Sequence, residues 1–154
     1  MPEPTEWYRS LETGVESLKA KLGRDVQDYH LGRFLKMARR VDEFTPTCPQ
    51  CRLYQPEIEQ MLRDLAAGAP QIPREQKRKF LGGMEVILGH LKKTHGLISE
   101  GQNVGLWLGI GAAVGLALGA GLSNPAIGIP IGVALGLAIG TALDNKAKKE
   151  GKVI

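Results

Sequence analysis

The feature that most constrains this sequence is a long stretch without charge. Between Glu100 and Asp144 lie 43 consecutive residues without Asp, Glu, Lys or Arg. Residues 103–122 and 125–143 form two apolar runs within it, each about 20 residues long, and a helix of that length spans the hydrocarbon core of a bilayer. The sequence therefore predicts an integral membrane protein with two transmembrane helices.

Only Ser123 and Asn124 separate the two runs, so the helices are expected to be antiparallel neighbours in a hairpin. Either residue can cap the second helix, and Pro125 suits its first position. Small and large residues also alternate from Ala126 to Leu143, which is typical of a strand, but each run is about twice the length of a membrane strand. We therefore predict a helical hairpin within residues 100–145.

Lysines flank both ends of the predicted hairpin. Lys92 and Lys93 precede it, and four more follow it in the basic tail 146–154: Lys146, Lys148, Lys149 and Lys152. Cytoplasmic flanks carry the excess of Lys and Arg, so both termini are expected in the cytoplasm, with the hairpin in the inner membrane of the cell. The four tail lysines are expected to contact anionic lipid headgroups. The acidic N-terminus lacks the apolar segment of a signal peptide, so the polar part is expected to stay cytoplasmic.

Small residues recur at every fourth position on two opposite sides of each run. The glycines that we assign to helix packing are Gly105, Gly109, Gly111, Gly115, Gly119, Gly128, Gly132, Gly136 and Gly140. Glycine stripes let helix backbones approach closely in a membrane. A hairpin uses one stripe per helix, and the second stripe therefore predicts association with another copy, a homo-oligomer.

This pattern of glycines resembles the small prokaryotic glycine-zipper proteins with a transmembrane hairpin. The resemblance covers residues 103–143. It implies close helix packing and oligomerisation in a membrane, and it names no activity. A small oligomeric channel is an alternative, although neither run carries a stripe of polar residues to line a pore.

The polar part, residues 1–99, is predicted to be a cytoplasmic bundle of about four helices. Apolar residues at helical spacing place them at about 5–22, 25–44, 56–68 and 74–95, with Asp25 capping the second. No strand is predicted anywhere. The fold class is therefore all-α, a helical bundle followed by a transmembrane hairpin.

Two cysteines and two histidines form a candidate metal site in this bundle. Cys48 and Cys51 lie in the predicted turn between the second and third helices, and His90 and His95 lie at the end of the fourth. Two cysteines separated by two residues and two histidines separated by four residues match the ligand spacing of a Cys2His2 zinc site. Residues five apart on an ideal helix differ by about 140°, so the last turn must loosen to bring both histidines together. His30, expected as a core histidine in the second helix, is an alternative ligand.

The same cysteines carry a competing interpretation. The segment Thr45–Cys51, with a helix after it, resembles the active-site turn of thioredoxins and glutaredoxins, in which the helix N-terminus lowers the first thiol's pKa. Those families place a strand before the motif, whereas residues 34–44 have a helical pattern here. A membrane-tethered thiol-disulfide oxidoreductase is therefore the second candidate.

The composition argues against other classes of function. The net charge of +4 arises from basic residues interleaved with acidic ones, so nucleic acid is not an expected partner. We find no phosphate-binding glycine loop and no activated serine, and no enzyme activity is predicted apart from the redox alternative. The expected function is a membrane-anchored, zinc-stapled scaffold that oligomerises and holds a protein partner, as an accessory subunit of a larger membrane-bound complex.

Overall fold

The computed structural model describes residues 3–23, 27, 29–121 and 124–154. These residues form six helices: α1 Glu6–Leu22, α2 Leu31–Phe44, α3 Pro49–Ala67, α4 Arg74–His95, α5 Gln102–Gly121 and α6 Pro125–Lys149. No strand occurs within those ranges, apart from one isolated β-bridge. The predicted all-α fold is confirmed, and the chain divides into two compact units, Met1–His95 and Gly96–Ile154.

Helix α1 begins and ends at the residues that its sequence indicates. The Thr5 hydroxyl accepts a hydrogen bond from the Tyr8 backbone N–H, and Gly23 ends the helix with a positive φ of 57°. The helix buries Tyr8, Leu11, Val15, Leu18 and Leu22 on one face. Tyr8 is buried on this face, while the neighbouring Trp7 is half-exposed.

Helix α2 is shorter than predicted, because it begins at Leu31 rather than at Asp25. His30 has a φ of 49° in the left-handed region, which a right-handed helix cannot contain. The chain therefore turns at His30 before the helix starts. The predicted cap Asp25 lies outside the described residues.

Helix α3 begins at Pro49, seven residues before the predicted start near Pro56. Cys48 is the N-cap, and Pro49 occupies the first turn, where a helix leaves its N–H groups without intrahelical partners in any case. The face that contains Cys51 and Ile58 is fully buried on both sides of Pro56, and this burial keeps the helix continuous through the proline. The two cysteines therefore open α3 and do not lie in a turn.

The core of the first unit lies between these four helices. Its largest fully buried side chains include Leu18, Phe34, Met37, Ile58, Leu65, Met84, Ile87, Leu88 and Leu91. Phe34 of α2 packs against Phe80 of α4, with ring centroids 5.2 Å apart. Helix α4 runs from Arg74 to His95 as predicted, so its C-terminal end carries the histidines.

The second unit is built on the hairpin of α5 and α6. Both helices are long and apolar enough to cross a membrane, with mean hydropathies of 1.8 and 2.0. The two helices contact each other through the backbone of glycine residues. The buried glycines are Gly111, Gly115 and Gly119 of α5 and Gly128, Gly132, Gly136 and Gly140 of α6. A Cβ placed on Gly132 would lie 2.7 Å from the Gly115 Cα, so a side chain at Gly132 would separate the helices. The predicted turn residue Ser123 lies outside the described residues.

The opposite stripe of small residues faces outwards. A Cβ added at Gly105 or Gly109 would meet no described atom within 4 Å. Ala126, Pro130, Ala134, Ala138 and Ala142 of α6 are likewise exposed. The hairpin therefore uses one of its two stripes internally and leaves the other available.

The open end of the hairpin is closed by contacts that the sequence pattern did not indicate. The Asp144 carboxylate on α6 accepts hydrogen bonds of 3.2 Å from the backbone N–H groups of Asn103 and Val104 at the start of α5. Ile98 and Val153 form a parallel β-bridge beside it. Helix α6 extends to Lys149, and the whole predicted tail 146–154 belongs to this compact unit.

Candidate metal centre

Four side chains from distant parts of the sequence converge in the first unit. The ligand atoms of Cys48, Cys51, His90 and His95 all lie within 4.8 Å of one another. Cys48 caps α3 and Cys51 lies in its first turn, while both histidines lie in the last two turns of α4. Because α3 and α4 follow each other as a helical pair, the start of one and the end of the other meet at one end of the bundle.

The distances fit a tetrahedral ion. Cys48 Sγ lies 3.4 Å from His90 Nε2, and Cys51 Sγ lies 3.6 Å from the same nitrogen and 3.4 Å from His95 Nε2. Metal–ligand bonds of 2.3 Å to sulfur and about 2.05 Å to nitrogen in a tetrahedron place S and N roughly 3.6 Å apart. The donor set and its spacing therefore suit one metal ion.

The two histidines meet without the loosening that was expected of the last helical turn. Helix α4 remains α-helical to His95, and Gly96 leaves it with a φ of 64°. The imidazole centroids lie 5.3 Å apart at an interplanar angle of 75°. Each ring uses Nε2, the nitrogen farthest from the backbone, and this reach compensates for the angle between residues five apart.

Neighbouring side chains orient both rings. The Thr94 hydroxyl lies 3.3 Å from His90 Nδ1, the nitrogen that faces away from the sulfurs. The Phe44 ring stacks on His95 with centroids 3.9 Å apart, and Tyr54 meets His90 edge-on at 5.4 Å. Partners of this kind fix the tautomer and direction of metal-binding histidines. Sequence reasoning missed all three, although Thr94 lies four residues after His90 and so on the same helix face.

The electrostatics of the cluster favour one thiolate over the other. Burial opposes ionisation of Cys48, but hydrogen bonds from the backbone N–H groups of Cys51 and Gln50 and from the Cys51 thiol outweigh it and lower the pKa of Cys48. Burial, with the hydrogen bond and the charge of Cys48, raises the pKa of Cys51 to about 12. Burial, with the charge of His90, lowers the pKa of His95, so this ring is neutral near pH 7 and offers a lone pair.

His30, the alternative ligand, is not part of this cluster. It precedes α2 and is exposed, whereas a core position inside that helix was expected. Its left-handed backbone conformation places it at a turn. Among the described residues, the histidines that lie beside the cysteines are therefore His90 and His95 of α4.

Three of the four tail lysines that we expected at lipid headgroups are engaged in ion pairs within the second unit. Lys148 lies 3.0 Å from Glu100, and Lys152 lies 2.8 Å from Glu150. Lys146 pairs with the other carboxylate oxygen of Glu150 at 3.9 Å. Ion pairing neutralises part of the positive charge on which a headgroup contact depends.

Comparison with known proteins assigns no role to this cluster. No protein-family model, curated protein or solved structure matches the chain. The chemistry of the four side chains therefore carries the functional inference.

Proposed function

We propose that this protein is a membrane-anchored scaffold whose first unit is cross-linked by a bound zinc ion. The observation that carries the proposal is the convergence of two buried cysteine sulfurs and two histidine nitrogens within 4.8 Å. Four such ligands leave no coordination position open for a substrate, and closed sites of this kind stabilise folds. The proposed role is therefore structural.

Zinc is the metal that this ligand set favours. Two thiolates and two imidazoles in a tetrahedron are typical of structural zinc, while carboxylate and carbonyl oxygens would suit magnesium or calcium. When bound, zinc would cross-link the start of α3 to the end of α4. Cys48 and Cys51 would hold it as thiolates, and the neutral rings of His90 and His95 would complete the shell.

The hairpin supports anchoring in a membrane. Only 11% and 22% of the apolar windows of α5 and α6 are buried within the structure, a low share for core helices of a soluble protein. Large side chains such as Leu116 and Ile131 are about half exposed, at 53% and 50%. A bilayer would cover this surface, and the flanking lysines favour the inner membrane with both termini in the cytoplasm.

The outward stripe supports homo-oligomerisation, since Gly105 and Gly109 leave a flat surface where a second hairpin can pack. Replacing Gly109 by Leu should lower the mass measured in mild detergent to that of one chain. Leu118→Ile, a change on the lipid-facing surface, serves as the control. A wild-type protein that is already monomeric would remove oligomerisation from the proposal.

The second candidate function is thiol-disulfide exchange. It is favoured by the lowered pKa of Cys48 at the N-terminus of α3. However, helix α2 precedes the motif where the thioredoxin-like families have a strand. Alkylation separates the two functions, because metal-bound thiols should resist it while a redox-active Cys48 should react rapidly.

The experiment that tests the proposed function is purification of the full chain from membranes in mild detergent. We expect resistance to extraction at alkaline pH, bound zinc and a co-purifying protein partner that scaffolding requires. The Cys51→Ser variant should remain in the membrane but lose both zinc and the partner. Retention of the partner by a zinc-free variant would show that the metal site does not support the scaffold.

A further inference from the structure

The two cysteines of the metal cluster differ in their access to solvent. Cys48 keeps 8% of its surface exposed, whereas Cys51 is fully buried at 0%. The chain contains two cysteines in all, so each is the other's thiol partner within one molecule. We propose that Cys48 is an oxidation site for hydrogen peroxide and that its oxidation releases the zinc ion. This inference rests on the zinc site proposed above and concerns the regulation of that site.

The sulfur of Cys48 is directed towards residue 51. Cys48 is the N-cap of α3, with an extended backbone, and its Sγ accepts a hydrogen bond of 3.5 Å from the Cys51 backbone N–H. The two sulfurs lie within 4.8 Å of each other. Residues three apart along a helix are neighbours, and disulfides join residues whose Cα atoms are about 4.4–6.8 Å apart. A local movement at the start of α3 can therefore close a disulfide between them.

The oxidation uses one peroxide and both sulfurs. The Cys48 thiolate attacks one oxygen of the peroxide, the O–O bond breaks, and a sulfenic acid forms as hydroxide leaves. The Cys51 thiolate then attacks that sulfur, forms the S–S bond and displaces a second hydroxide. The two sulfurs together lose two electrons, and two protons from solvent convert the hydroxides to water. The disulfide no longer offers a thiolate, so two of the four ligands are lost.

The surroundings of the sulfurs favour a small oxidant. Aromatic rings crowd the cluster, because Phe44 stacks on His95 with centroids 3.9 Å apart and Tyr54 meets His90 edge-on. Exchange with a disulfide such as oxidised glutathione would bring a bulky reagent into line with the attacking sulfur, and its rate depends on access. Hydrogen peroxide is close to water in size. We therefore expect a peroxide to oxidise this site in preference to a disulfide.

Oxidation should loosen the end of α4. His90 and His95 would be the remaining ligands, whereas closed zinc sites use four. Ile87, Leu88 and Leu91 of the same helix are buried in the helical core. We therefore expect the last turn of α4 to lose its order first, while the rest of the bundle persists.

The test is a hydrogen peroxide titration of the zinc-loaded full chain in mild detergent, with a chelating dye that reports released zinc. We expect about one zinc ion released per peroxide consumed, and a disulfide between Cys48 and Cys51 in peptides analysed by mass spectrometry. Dithiothreitol should restore zinc binding. Oxidised glutathione at the same concentration should release zinc at least about tenfold more slowly.

Two single variants test which sulfur reacts first. In Cys51→Ser, the sulfenic acid formed at Cys48 has no partner thiol and should be captured by dimedone. In Cys48→Ser, the same reagent should label the buried Cys51 at least about tenfold more slowly. Each variant lacks one ligand, so the two are matched, and circular dichroism establishes that each is folded. Equal labelling rates would overturn the assignment of Cys48.

The outcomes separate this inference from the proposed function. Zinc-loaded protein that keeps its ion and both thiols in peroxide would overturn the inference and leave the zinc scaffold standing. A disulfide between two chains would also overturn it, as would oxidation that dithiothreitol does not reverse. Reduced protein that purifies without zinc would overturn the proposed function, and this inference with it.

Discussion

The sulfur of Cys51 and the Nε2 nitrogen of His95 lie 3.4 Å apart, although 44 residues separate them in the sequence. A metal ion bound between them would cross-link the first turn of α3 to the last turn of α4. The cross-link closes a long loop, and such closures stabilise a fold partly by restricting the unfolded chain. A domain of about 95 residues with a modest core would gain substantially from it.

Removal of the metal should destabilise the first unit. With free zinc at about 1,000 times its dissociation constant, binding adds about 4 kcal/mol to the free energy of unfolding. A chelator should therefore lower the unfolding temperature of the wild type, as followed by circular dichroism at a helical wavelength. Cys51→Ser should unfold at the chelated temperature with or without zinc, and a variant that still responds to zinc would contradict this assignment.

The hydroxyl of Thr94 should tune the site without being a ligand. It lies 3.3 Å from His90 Nδ1, and loss of such an outer partner typically costs 10- to 100-fold in metal affinity. We expect Thr94→Val to weaken zinc binding by about tenfold in competition with a chelating dye. Thr13→Val on α1 is the matched control, because that hydroxyl donates to the Arg9 carbonyl of its own helix. Unchanged affinity in Thr94→Val would remove Thr94 from the site.

Zinc uptake near pH 7 should release at least one proton, from the Cys51 thiol. The pKa of Cys51 is raised to about 12, so this thiol is protonated near pH 7 and must lose one proton, while Cys48, whose pKa is lowered, contributes at most one more. The lowered pKa of His95 means that its ring is already neutral. Calorimetry in buffers of different ionisation enthalpy should therefore give at least about one proton per ion. Release of clearly less than one proton would contradict the raised pKa of the Cys51 thiol.

The raised pKa of Cys51 also predicts a pH dependence of the metal-free protein. A thiol whose pKa is raised on folding stabilises the fold below its unfolded value of 9.0, and that contribution is lost as the pH rises towards about 12. We expect the chelated wild type to lose stability over this window more steeply than chelated Cys51→Ala. Parallel curves from urea unfolding at each pH would contradict the burial of that thiol.

Close packing of the hairpin should depend on the inward glycines. A Cβ at Gly132 would lie 2.7 Å from the Gly115 Cα, and both groups are backbone that cannot move independently. We expect Gly132→Val to accelerate amide exchange in α5 and α6 by about tenfold or more in detergent. Leu118→Val, at an exposed position outside both small-residue stripes, should leave exchange unchanged. Similar effects at both positions would contradict the inward assignment of Gly132.

The Asp144 carboxylate should hold the start of α5 to α6. It accepts hydrogen bonds from Asn103 and Val104, and loss of a capping group costs about 1 kcal/mol. Asp144→Ala should therefore accelerate amide exchange of the first turn of α5 by about fivefold. Asn145→Ala, at the exposed neighbouring position, is the control. Protection that survives in Asp144→Ala would show that the β-bridge at Ile98 closes the hairpin by itself.

The sequence predicted those parts of the fold that depend on composition and period. A run of 43 residues without charge indicates two apolar helices, and the spacing of Cys48, Cys51, His90 and His95 indicates a metal site. Both predictions rest on residue types and spacings that can be read directly from the sequence. The structure confirms the two apolar helices and brings the four predicted side chains together in a cluster that could hold a metal ion.

The parts that the sequence did not predict depend on tertiary contacts. The start of α3 was misplaced because Pro56 indicates a helix start by propensity, whereas burial of the Cys51 face continues the helix through it. The bridge between Ile98 and Val153 joins residues 55 apart and has no local signal. His30 was placed inside a helix because its apolar neighbours follow a helical period, and its left-handed φ overrides that pattern.

The measurement that tests the metal assignment most directly is X-ray absorption at the zinc edge, on full-length protein purified in mild detergent without added metal. The expected result is one zinc per chain, with two sulfurs at about 2.3 Å and two nitrogens at 2.0–2.1 Å. Protein without metal whose two thiols react freely with an alkylating reagent would contradict the account. So would a metal shell composed mainly of oxygen.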